Sequence, residues 1–182
     1  MKLWDVERIS IVGNSGSGKS TLALRLAGRL GVPHLELDSV FHQPDWTELD
    51  LPTFKARVRE FAAQPRWVID GDYRVRLDDL VWERADTVVW LDFPRWVVMG
   101  RLLRRTIGRL LTRQELWNGN RESLRNALSR DPEISILRWS WTRHRAYRES
   151  YDVVRSDPAH AHLTFIRFRH PRQAERWLAD QS

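Results

Sequence analysis

The run Gly13-Asn14-Ser15-Gly16-Ser17-Gly18-Lys19-Ser20 constrains this chain more than any other feature. A glycine, four variable residues and Gly-Lys-Ser lie between an apolar segment, Arg8 to Val12, and a segment where Leu22, Leu26 and Leu30 repeat at four-residue spacing. The first reads as a buried strand, the second as a helix stopped by Gly31 and Pro33. Gly13, Gly16 and Gly18 tolerate the positive φ that turns successive amides inward, and the following helix adds its positive N-terminal end. Such a loop is suited to a polyphosphate. In it Lys19 reaches the β and γ phosphates, the Ser20 hydroxyl takes a magnesium ion, and Thr21 completes the nucleotide-binding stretch. ATP and Mg2+ are the implied cofactors.

At 182 residues the chain fits one domain, 1–182. A second strand is expected at His34 to Asp38, a helix at about Pro52 to Ala63, and a third strand at Arg66 to Asp70. A fourth strand, Thr87 to Asp92, leads into a helix from near Pro94 to about Thr112. A helix at about Ile134 to Tyr151, a last strand at Leu163 to Phe168 and a closing helix after Pro171 complete the pattern. Strands alternating with helices imply a parallel sheet covered on both faces. Asp70 ends a strand beside the phosphate loop and is the expected second magnesium group; Asp92, which either competes for that role or caps the next helix, is the alternative.

The chain has no cysteine, which excludes disulfides, thiolate zinc sites and cysteine nucleophiles. No signal-like apolar core occupies Met1 to Arg8 and no stretch reaches the roughly 20 apolar residues of a membrane span, so a cytoplasmic protein without membrane contact is expected. The net charge of +6 rests on arginine and is consistent with nucleic acid, a membrane surface or a phosphorylated ligand, or equally with a codon-driven arginine bias. Arg101, Arg105 and Arg109 share one helix face, while Trp96, Met99, Leu103, Ile107 and Leu110 form an apolar stripe. A basic amphipathic helix suits a membrane or nucleic acid, and equally the start of a lid; the lid reading is favoured, over about residues 106–130. Phosphoryl transfer needs positioned positive charge, so Arg105, Arg113 and Arg121 are lid candidates, with Arg143, Arg145 and Arg148 on the next helix. Of ten tryptophans, Trp67, Trp90 and Trp177 fall at core positions, and Trp46, Trp117, Trp139 and Trp141 near the acceptor and lid segments.

Trp67-Val68-Ile69-Asp70-Gly71-Asp72-Tyr73-Arg74 and Ala85-Asp86-Thr87 through Asp92-Phe93-Pro94 to Arg101 and Arg105 resemble the adenylate kinase and shikimate kinase group of small P-loop kinases. The resemblance implies a three-layer α/β fold whose five-stranded parallel sheet is ordered 2-3-1-4-5, with an arginine-rich helical lid. It implies Asp70 on magnesium, Arg74 on the acceptor's phosphate, Arg101 against adenine and Arg105 on the transferring phosphates. Two departures from adenylate kinases bear on the acceptor: the loop reads Gly-Ser-Gly-Lys-Ser-Thr, and Leu37-Asp38-Ser39-Val40-Phe41-His42 replaces the AMP-binding sequence. Asp38 is more like shikimate and gluconate kinases, where it binds the acceptor's hydroxyl. Across nearly the whole chain, with Trp117-Asn118-Gly119-Asn120-Arg121, the sequence is similar to bacterial DNA topology modulation proteins. The expectation is an ATP- and magnesium-dependent phosphotransferase with Lys19, Arg105 and Asp38 as catalytic groups. It acts on a small acceptor, a nucleoside monophosphate among the candidates, as a monomer or homodimer. The alternative is a nucleic-acid-associated ATPase or regulator.

Overall fold

A computed structural model describes residues 7–123, 129, 131 and 135–180. Five parallel strands, β1 (Arg8–Gly13), β2 (His34–Glu36), β3 (Trp67–Asp70), β4 (Thr87–Leu91) and β5 (Thr164–Phe168), form one sheet in the order β2-β3-β1-β4-β5. The helices are α1 (Lys19–Leu30), α2 (Leu37–Phe41), α3 (Leu51–Ala62), α4 (Arg74–Leu77), α5 (Arg95–Thr112), α6 (Ile136–Arg155) and α7 (Pro171–Ala179). Of the expected lid, residues 124–128 and 130 lie outside the described residues.

The central strands β1, β3 and β4 are buried along nearly their whole length because both of their faces are covered, whereas the edge strands β2 and β5 carry His34, Glu36 and Arg167. Side chains alternate across a strand, so one apolar run serves two cores. Ile9, Ile11, Val68, Val89 and Leu91 pack with Leu22 and Leu26 of α1, Val98 of α5 and Leu178 of α7. Val12, Trp67, Ile69, Val88 and Trp90 pack on the other face with Phe54 and Val58 of α3 and Tyr151 of α6. Trp82, in the connection before β4, joins this second core and is 2% exposed.

β2 ends at Glu36, two residues short of the expected boundary. Among the described residues its sole ladder is with β3, in the register His34↔Val68 to Glu36↔Asp70, and β3 itself ends at Asp70. Residues 37 and 38 therefore have no strand to pair with, and Leu37 turns into the core as α2 begins. Asp38 lies in the first turn of that helix rather than at a strand end.

The apolar stripe expected to bury α5 does not do so. Val98, Leu102 and Thr106 face inward, whereas of the expected stripe Trp96 is 73% exposed, Leu103 and Ile107 are open to solvent, and Met99 and Leu110 are half-buried. Two apolar lines run along this helix, and period alone does not choose between them. The choice is made by the phosphate loop, whose Gly16 presses on Val98 and Leu102. Among the described residues no helix is long and apolar enough to cross a membrane.

Asp92 neither caps α5, whose N-cap is Pro94 without a side-chain bond, nor turns to the phosphate loop. Its carboxylate is buried and accepts Arg148 Nε of α6 at 2.7 Å and Arg167 Nη2 of β5 at 2.7 Å. Arg167 also stacks on Trp90 at 4.0 Å and donates to Asp152 at 2.7 Å. This network pins α6 to the sheet edge. Removing one partner of a buried pair leaves the other charge uncompensated. Asp92→Ala should therefore lower the unfolding free energy by about 3 kcal/mol, read from urea denaturation with an unchanged slope.

Candidate active site

The loop between β1 and α1 has φ of +144° at Gly13, +87° at Gly16 and +95° at Gly18, a region that L side chains rarely adopt. A Cβ on Gly16 would sit 2.8 Å from Leu102 Cβ and from the Val98 carbonyl. The loop is braced from two helices. Arg101 Nη1 of α5 donates to the Ser17 carbonyl at 3.0 Å. From α6 the Ser140 hydroxyl donates to the Ser15 carbonyl at 3.2 Å, while Asn14 Nδ2 donates to the Ser140 carbonyl at 2.9 Å. Asn14 Oδ1 in turn accepts the Ser15 amide at 2.8 Å. Gly18, the N-cap of α1, brings no capping side chain, so the first amides of the helix keep their capacity for an anion. Lys19 Nζ folds back to the Asn14 carbonyl at 3.4 Å, and Thr21 follows in the first turn of α1.

The Ser20 hydroxyl lies between two carboxylates, 2.6 Å from Glu36 Oε1 and 2.9 Å from Asp70 Oδ1. It has one proton to offer both. Asp70 is buried, and its second oxygen is 2.7 Å from His34 Nε2. The second oxygen of Glu36 accepts the Trp117 indole N–H at 2.7 Å. One hydroxyl and two carboxylates beside a phosphate-binding loop are an oxygen donor set suited to a hard divalent cation.

A cavity of about 1310 Å³ opens from this loop. Lys19, Glu36, Asp38, Asp72, Arg74, Arg101, Arg105, Arg109 and Arg143 all line it; Arg113 and Arg121 do not. Arg113 is the C-cap of α5 with φ +48°, and Arg121 lies 3.5 Å from Glu115 on the surface. Arg105 reaches inward with its Nε buried and unbonded. Burial, then Arg109, lowers its pKa, against the opposing pull of Glu122, Asp38 and Glu36. Arg109 pairs with Glu122 at 2.8 Å. Arg74 lies 3.4 Å from Asp79 and 4.6 Å over the Trp82 ring. Of the other arginines on α6, Arg145 pairs with Glu149 in solvent and Arg148 with Asp92.

At the far end of the cavity Asp38 Oδ1 accepts the Tyr73 hydroxyl at 2.7 Å. Burial, and next the Asp38 charge, raise the Tyr73 pKa, so it stays a donor. His42, Trp46 and Trp117 form an aromatic cluster there, His42 stacked on Trp117 at 5.9 Å and edge-on to Trp46 at 5.4 Å. Trp139 also lines the cavity, whereas Trp141 is half exposed under Arg95. Asp72 has its pKa raised by burial against the lowering pull of Tyr151 and Lys19. Glu36, Asp72, Tyr73 and Ser140 are site residues that the sequence motifs do not single out. Glu36 alone carried a signal, as a second carboxylate two positions before Asp38.

No family model matches the sequence, and no curated protein matches it. Solved structures do match. A shikimate kinase from Acinetobacter baumannii in complex with shikimate aligns with a TM-score of 0.54 at 19% identity, over 98% of this chain and 92% of that one. A shikimate kinase from Bacteroides thetaiotaomicron gives 0.55 at 15% identity, over 96% of each chain. The fold is that of the P-loop kinases. A gluconokinase from Sinorhizobium meliloti aligns with 0.50 at 20% identity, over 96% of this chain and 92% of that one. At these identities a P-loop kinase fold fixes the path of the chain and leaves the acceptor to be argued from the site.

His42 offers a pH readout of the acceptor end. Burial lowers its pKa from the ordinary 6.5, outweighing Asp38 and Glu48, which raise it. The native state thus binds fewer protons here than the unfolded chain, and the contribution to stability present above 6.5 is lost as pH falls below it. The expected outcome is that His42→Gln loses less stability than wild type between about pH 7 and about pH 5.5, measured by thermal unfolding at each pH.

Proposed function

We propose that this chain is an ATP- and Mg2+-dependent phosphotransferase that moves the γ-phosphate of ATP to a hydroxyl of a small acceptor. One observation carries the reading: a phosphate loop, Ser20 and Glu36 of the hydroxyl–dicarboxylate set that Asp70 completes from beneath, Arg105 with its Nε buried and unbonded, and a carboxylate oriented by a tyrosine meet at one cavity. The likeness to shikimate kinases and a gluconokinase supports it.

The loop amides and Lys19 hold the β and γ phosphates. Ser20, Asp70 and Glu36 would hold the magnesium, which neutralises phosphate charge when bound. Arg105, with donors to spare, meets the charge that builds on the transferring phosphoryl group. Asp38 keeps Oδ2 for the acceptor, since Tyr73 occupies Oδ1. The acceptor oxygen attacks the γ-phosphorus as its proton passes to Asp38, the bond from that phosphorus to the β–γ bridging oxygen breaks, and ADP leaves. Arg101 braces the loop and lines the nucleotide end. Arg74 and Arg143 line the cavity and are the residues we assign to the acceptor and the lid.

The test is transfer of labelled phosphate from Mg-ATP to nucleosides, nucleoside monophosphates and polyols. Asp38→Asn should cut kcat by roughly 10²- to 10⁴-fold with the Mg-ATP affinity unchanged, and Lys19→Ala should abolish transfer. A wild-type protein that binds Mg-ATP and phosphorylates none of these overturns the proposal. The net charge of +6 favours a second reading, a nucleic-acid-associated ATPase of the DNA topology modulation kind. Its signature is DNA binding that weakens steeply with salt and survives Lys19→Ala.

A further inference from the structure

Glu36 is held from two sides. Oε1 accepts from Ser20 at 2.6 Å, at the phosphate end, and Oε2 accepts from the Trp117 indole at 2.7 Å. Trp117 opens a single turn of 3-10 helix, Trp117–Gly119, in the segment that follows α5. That segment is fastened to the chain leaving α2. Asn118 Nδ2 donates to the His42 carbonyl at 2.5 Å and the Ser39 carbonyl at 3.2 Å. Asn120 Nδ2 donates to the Gln43 carbonyl at 2.9 Å, and its Oδ1 accepts the Trp46 amide at 2.8 Å. The Trp46 indole returns a bond to the Arg121 carbonyl at 3.2 Å. Residues 117–121 are thus a strap, and the four bonds that its Asn118 and Asn120 side chains make beyond it all read main-chain groups of residues 39–46. Only the Trp117 indole reaches a side chain at the cation set.

That bond answers an electrostatic difficulty. Glu36 and Asp70 face the same hydroxyl, which has a single proton, and two carboxylates so placed repel. Asp70 is fixed by burial and by His34, but Glu36 is partly exposed on a side chain with three rotatable bonds. Without a donor on its outer oxygen it would swing away from Asp70 and lose the position a cation needs. Partners in the outer shell orient ligating carboxylates in this way.

We propose that Trp117 is a positioning residue that couples docking of the strap to uptake of the Mg-nucleotide, with Glu36 as the shared part. The coupling rests on the proposed nucleotide reading of the site but not on the identity of the acceptor. It runs both ways: a docked strap favours Mg-ATP, and Mg-ATP favours a docked strap.

Trp117→Phe keeps an aromatic ring beside His42 and Trp46 and removes the pyrrole ring with its N–H. In calorimetry its affinity for Mg-ATP should fall about tenfold, while its affinity for ATP in excess chelator stays at the wild-type value. In the wild type, Mg-ATP should slow tryptic cleavage after Arg121, and the variant should lose that protection. Asn118→Gly loosens the strap without touching Glu36 and suits the φ of +56° at this position; it should show the same metal-selective loss. Affinity falling equally with and without magnesium, wild-type affinity in both variants, or no nucleotide binding by folded wild type each overturns the coupling. Wild type that binds Mg-ATP but phosphorylates no acceptor overturns the kinase reading and leaves these measurements standing.

Discussion

The contact on which this molecule depends is the approach of Gly16 to α5. With no Cβ at residue 16, the loop lies directly against Val98 and Leu102, and any side chain would push the two apart. That contact sets the rotation of the whole helix. Val98, Leu102 and Thr106 must face in, so Arg101, Arg105 and Arg109 are carried along the border of the cavity and the second apolar line is left in solvent. Ser140 and Asn14 also lock the loop to α6, and Asp92 locks α6 to the sheet. A loop held from two helices is formed before any ligand arrives, so binding loses little conformational entropy in shaping it.

Charges of both signs line the cavity. Glu36, Asp38 and Asp72 come from β2, α2 and the turn after β3, with Arg74 near Asp72, while Lys19, Arg101, Arg105 and Arg109 come from α1 and α5, Arg109 paired with Glu122. Burial raises the pKa of Asp72 and lowers that of Arg105, which marks each as a charge held out of water without a full partner. On the reading proposed above, a ligand with cation and phosphates in sequence would meet both signs of charge, the positive ion at Glu36 and Asp70 and the phosphate oxygens at Lys19 and Arg105.

Much of the fold was legible because it rests on local signals. Glycines at 13, 16 and 18, a leucine repeat and apolar strand runs locate the loop, α1 and the parallel sheet without tertiary knowledge. What sequence could not supply was orientation and partnership. The face of α5 depends on Gly16, some 80 residues earlier in the chain. The end of β2 depends on where its neighbour β3 stops. Asp92 looked equally able to serve a metal or cap a helix, and its partners Arg148 and Arg167 are 56 and 75 residues away. The arginines expected at the lid from helix spacing and position in the segment divide in the structure: Arg105 and Arg143 line the cavity, whereas Arg113 and Arg121 do not.

The early end of β2 has a consequence for chemistry. In a strand, residues 36 and 38 would point to the same side and compete for the same ligand atoms. Because the chain turns helical at Leu37, Glu36 stays at Ser20 while Asp38 swings to Tyr73. Two carboxylates two residues apart thereby serve opposite ends of one cavity. Arg105 feels the charge of both. Its guanidinium therefore lies within electrostatic reach of both carboxylates, and on the phosphotransferase reading proposed above a cation so placed would favour the charge that builds during transfer over either resting state.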